Sequence, residues 1–69
     1  MNSTVRIDEL QARLRLQLHG QVQELRLLFR ENGLVLHGSA RTYYAKQLAQ
    51  HAAMKATRLR IVANQIEVS

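Results

Sequence analysis

At 69 residues, with no cysteine and no proline, this chain has room for one domain. Neither a disulfide nor a thiolate metal site can brace it, so aliphatic packing must. Ten Lys and Arg against five Asp and Glu give a formal charge of +5, which suits acidic partners such as nucleic acid, anionic lipid or an acidic protein face. The basic residues are scattered rather than run together, which ranks nucleic acid last among these.

The opening stretch from Met1 to Glu9 has no apolar run and turns acidic at Asp8 and Glu9, so it does not read as a signal peptide, and no segment approaches membrane-spanning length. Read as a whole gene product the chain is expected in the cytoplasm; read as an excised domain it suits the cell envelope.

The first element, about Thr4 to Leu18, reads as a helix. Ile7, Leu10, Leu14 and Leu18 recur at helical spacing along one stripe. Ser3 or Thr4 can cap it, Asp8 and Glu9 suit the positive end of its dipole, and Gly20 sits just past its end. The period then changes from helical to alternating. Leu25, Leu27 and Phe29 alternate with Glu24, Arg26, Leu28 and Arg30, the pattern of a strand with one apolar face. Asn32-Gly33 reads as a type I′ hairpin turn, and Leu34 to His37 as the returning strand, with Phe29 opposite Leu36 and Leu28 opposite His37.

Gly38 ends the hairpin. Ser39 or Thr42 can cap a second helix over Tyr43–Ala56, whose inner stripe of Ala45, Leu48, Ala49, Ala52 and Ala56 allows close approach to a sheet. The last element, Leu59 to Val68, reads as a strand with Val62, Asn64, Ile66 and Val68 on one face and Ile61 and Ala63 on the other. The order helix-strand-strand-helix-strand predicts an α/β (α+β) two-layer sandwich, with two helices on one face of a three-stranded sheet. The expected core is Leu25, Leu27, Phe29, Leu34, Leu36, Leu48, Ile66 and Val68.

Three segments carry a family resemblance. Gly33-Leu34-Val35-Leu36-His37-Gly38 resembles the BON family's strand ending in Leu, a small or polar residue, and Gly. Leu59-x-x-Val62-x-Asn64-x-Ile66-x-Val68 resembles its closing strand, and Tyr43 to Ala49 its second helix. The resemblance spans nearly the whole chain. It implies a small bacterial module, found in osmotic-stress and nodulation proteins, that binds phospholipid membranes or partner proteins and has no catalytic set. The chain departs from the family's usual context in showing neither an export signal nor a second copy of the domain.

The residue inventory points the same way. The five carboxylates, Asp8, Glu9, Glu24, Glu31 and Glu67, are spread along the chain, and Asp8 and Glu9 point in different directions on a helix. His19, His37 and His51 lack metal-binding spacing and read as surface histidines. Asn64 on an apolar face reads first as a structural amide, since a buried amide must be hydrogen-bonded. No catalytic residue, cofactor, metal site or small-molecule substrate is expected.

Two surfaces are left as candidate sites. The outer sheet face, Arg26, Leu28, Arg30, Val35, His37 and Ile61 with Ala63 and Gln65, would be left open by helices on the other side, and an exposed apolar patch marks a partner. It is the candidate face for a protein partner or a second copy of the chain. Helix 1 carries a second apolar line, Val5, Ala12 and Leu16, flanked by Arg6, Arg13 and Arg15, a candidate face for anionic phospholipid.

Overall fold

The computed structural model describes residues 6–69, with helix α1 at Ile7–Gln17, strand β1 at Val22–Arg30, β2 at Gly33–Ala40, helix α2 at Tyr43–Ala56 and β3 at Arg60–Val68. The expected order of elements is therefore present, but β2 does not end at Gly38: it runs on to Ala40, because Ser39 and Ala40 still pair with both β1 and β3. The three strands form one sheet in the order β1-β2-β3, with β1 antiparallel to β2 and β2 parallel to β3. A parallel neighbour needs a crossover connection, and α2 supplies it.

Both helices bury their stripes against the same face. Leu10, Leu14 and Leu18 from the α1 side and Ala45, Ala49, Ala52 and Ala53 from α2 join Val22, Leu25, Leu27, Leu34, Leu36, Ala40 and Ile66 in one core. Leu14, Leu34, Leu36 and Ala53 are wholly enclosed. Alanines along α2 let its axis approach the sheet closely, so that leucines from α1 and the strands fill the remaining volume. Side chains bond the helices to the edge strands. Gln11 Oε1 accepts from the Leu27 backbone N–H at 2.9 Å, and Arg15 Nε donates to the Leu25 carbonyl at 2.8 Å. These bonds occupy backbone groups of an edge strand that would otherwise stand open to another chain.

At the far side Asn64 does similar work. Its Nδ2 donates to the Lys46 carbonyl at 3.0 Å and to Gln50 Oε1 at 3.2 Å, while its Oδ1 accepts from the Ile66 N–H at 3.2 Å. Asn64 thus ties α2 to β3.

Several details depart from the sequence reading. The hairpin turns on Glu31-Asn32, both at positive φ (51° and 62°), rather than on Asn32-Gly33. Gly33 instead opens β2 opposite Arg30, which places Phe29 opposite Leu34, Leu28 opposite Val35, and Leu27 opposite Leu36. The reason is steric. A Cβ on Gly33 would lie 2.7 Å from both the Arg60 carbonyl and Val62 Cγ2, so the glycine is needed for close strand approach. The two-residue shift preserves the alternation of faces, so the same side chains still point inward.

A bulge between Gln23 and Arg26, with Glu24 at φ 55°, lets Val22 and Leu25 both face the core. Gly38 lies opposite that bulge at φ +154°, where an added Cβ would sit 3.0 Å from the Gln23 carbonyl and 3.1 Å from Val22 Cγ1.

A second irregularity, between the Leu34–Ile61 and Val35–Ala63 pairs, changes β3. One extra residue, Val62, reverses the alternation. Ile61 therefore packs against the core instead of belonging to the outer face, and Val62 leans toward Gly33 on the outer side. Two of the expected core residues lie outside it. Phe29 is 49% exposed because it sits one pleat beyond Leu27, the last β1 residue that Gln11 grips, and Val68 is exposed at the end of an edge strand. Leu48 is half-buried and packs against the core from α2.

Of the two expected caps of α2, Thr42 is the one that serves, through a bond from the Ala45 N–H to Oγ1 at 3.0 Å, while Ser39 lies within β2. The residue before α1 is Arg6, with no side-chain cap bond; the expected caps Ser3 and Thr4 lie outside the described residues.

Candidate binding surfaces

The outer face of the sheet is built in four cross-strand rows. From the hairpin end these are Arg30-Gly33-Arg60, Leu28-Val35-Ala63, Arg26-His37-Gln65 and Gln23-Ser39-Glu67. With the helices sharing the opposite face, among the described residues no helix packs here. Val35 is only 8% exposed, because it occupies the central strand with Leu28 and Ala63 as its cross-strand neighbours. Leu28, Val62, Ala63 and His37 are half-buried, and Arg26, Arg30 and Arg60 are exposed. The surface is a narrow apolar band bordered by charge, with less bare hydrocarbon than the expected patch.

Charge is unevenly distributed along the strands. Arg30 and Arg60 stand in the row at the hairpin end, while Glu67 and the bulge residue Glu24 stand at the other. Arg60 is steadied by a bond from Nη2 to the Glu31 carbonyl at 3.3 Å. A shallow groove at the bulge end gathers Arg15, His19, Glu24, Arg26, His37 and Glu67. The two carboxylates beside these cations give it no concentrated charge of either sign. Among the described residues no group of His, Asp and Glu is arranged to hold a metal ion.

The helix 1 surface is less coherent than its sequence suggests. Leu16 is 81% exposed, and Ala12 and Arg13 are exposed beside it. Arg6, however, lies 3.7 Å from Asp8 and 3.9 Å from Glu9, and Arg15 reaches to β1. At about 100° per residue Glu9 falls roughly 20° from Leu16, so an anionic side chain interrupts the apolar line. Val5 lies outside the described residues.

One surface was not foreseen. Tyr43, Tyr44 and Met54 on α2 are all exposed, and with Phe29 this puts every aromatic residue of the chain outside the closed core. The sequence carries a signal for this, since Tyr43 and Tyr44 fall off the alanine stripe of α2. Tyr43 also accepts a hydrogen bond from Gln47 Nε2.

No family model, curated protein or solved structure matches this chain.

Proposed function

We propose that this chain is a non-catalytic binding module of the BON type, and that it associates with protein through the outer face of its sheet. The observation that carries the reading is that face itself: a band of Leu28, Val35, Val62 and Ala63 with no helix against it among the described residues, framed by Arg26, Arg30 and Arg60. Apolar centres with charged rims are the ordinary anatomy of protein interfaces. The kinship rests on the three quoted segments. It draws support from the element order and from the work done by two of the residues that carry the resemblance. Gly38 admits the β1 bulge, and Asn64 ties α2 to β3.

Attachment to anionic phospholipid through helix 1 is the lesser reading. Of the arginines expected to anchor it, Arg6 faces two carboxylates and Arg15 is engaged at β1.

The test is site-specific photo-crosslinking in an extract of the cells that make the protein, from position 28 on the sheet and from position 54 on α2. A discrete adduct from position 28 alone, competed by unlabelled wild type but not by Leu28→Lys, is the expected result. Equal adducts from both positions, or none from position 28, would overturn the reading.

A further inference from the structure

We infer that the partner of the outer face is a second copy of this chain, packed sheet to sheet with its strands running in the opposite direction. This rests on the reading of that face as the binding surface. A symmetric face-to-face pair can be built about two kinds of two-fold axis lying in the interface, and the charges choose between them. An axis along the strands places hairpin end on hairpin end. Arg30 then meets Arg60 of the other copy, twice by symmetry, while Gln23 meets Glu67, so like charges stack at the hairpin end.

An axis across the strands reverses one copy and brings each strand over itself. The first row then lies over the fourth: Arg60 meets Glu67, a pair formed twice by symmetry, and Arg30 meets Gln23. The second row lies over the third, so Leu28 covers the aliphatic stem of Arg26, and Val35 meets His37. Arg60 of each copy finds a carboxylate, Arg30 finds an amide in place of a second arginine, and the apolar band is closed from water. The product is a four-layer assembly with helices outside and two sheets about 10 Å apart within.

Its size sets its strength. Strands about 4.8 Å apart rising about 3.3 Å per residue make a face of roughly 400 Å² per copy. A standard stable interface buries about 800 Å² per partner. The dimer is therefore weak and concentration-dependent, and its charged ends make it weaken as salt rises.

Sedimentation equilibrium over a wide concentration range tests the assignment. Wild type should self-associate. Arg60→Glu and Glu67→Arg should each weaken association roughly tenfold, because each removes two symmetry-related ion pairs and sets like charges together. Mixing the two variants should restore association, since a mixed dimer has both Arg60–Glu67 contacts intact, one of them with its charges exchanged. Leu28→Lys should abolish association while leaving the circular dichroism unchanged.

If Arg60→Glu strengthens association, the reversed arrangement is wrong while the binding face stands. If association is indifferent to Leu28→Lys, the face itself is wrong. A wild type that stays monomeric at the highest concentration overturns the second copy, and the crosslinking from position 28 then judges the face independently.

Discussion

Replacing Gly38 with alanine should be among the most damaging single-methyl changes available to this chain. Two penalties combine at the site. The residue sits at φ +154°, a conformation L residues rarely adopt, and such strain costs of order 1–3 kcal/mol. The new Cβ would also lie 3.0 Å from the Gln23 carbonyl, 3.1 Å from Val22 Cγ1 and 3.3 Å from Leu25 Cα. Overpacking of this kind typically costs about 1–3 kcal/mol. The sum, about 2–6 kcal/mol, compares with a total stability of about 3–10 kcal/mol for a domain of this length.

Gly20 supplies the control. It too has positive φ (86°), but a Cβ there would meet nothing within 4 Å. Gly20→Ala should therefore cost only the backbone term, about 1–2 kcal/mol. Urea denaturation of both variants measures the difference directly, provided the slope of stability against urea stays constant. The expected gap is about 1–3 kcal/mol. Equal losses would refute the claim that Gly38 is pressed against the β1 bulge.

Other substitutions probe the remaining joints of the fold. Leu14→Ala, at a fully enclosed position, should cost about 3–5 kcal/mol, whereas Phe29→Ala at a half-exposed one should cost well under that, and urea melts would rank them. Asn64→Leu should cost about 1–3 kcal/mol by stranding the Ile66 N–H and the link to Lys46; hydrogen exchange should show faster opening of β3. Gln11→Ala should speed exchange of the Leu27 amide, which bonds Gln11 at 2.9 Å, and an unchanged Leu27 would count against edge protection by α1.

Much of this fold is legible in the chain because its local signals agree. The leucine stripe of α1, the alternation of β1 and the alanine stripe of α2 each name an element and its inward side. The faces of β1 and β2 survive even the misplaced turn, since the register moved by two residues and alternation has period two. What the sequence conceals are single-residue irregularities. Nothing around Val62 announces a bulge, yet that one residue moves Ile61 from the outer face to the core. Asn32-Gly33 is a strong turn signal, but Gly33 serves the approach of β3, a contact 27 residues away in sequence, at Arg60. Phe29 looks like a core residue by hydrophobicity, and only the reach of α1 along β1 decides that it is not.

The same limits apply to the binding surface. Arg26, Leu28, Arg30, Val35 and His37 do share a face, as alternation requires, but the near-complete burial of Val35 depends on its neighbours on both sides. The opposition of Arg60 and Glu67 along β3 becomes meaningful only once β3 is known to run parallel to β2. Until then, neither residue has a defined place relative to Arg30 and Gln23.

The most direct test of the binding face is a residue-resolved nuclear magnetic resonance titration of the protein against itself, from dilute to concentrated solution. Shift changes should centre on the amides of Leu28, Val35, His37, Ala63 and Gln65, with α2 unperturbed. Changes centred instead on Tyr43, Tyr44 and Met54 would contradict it.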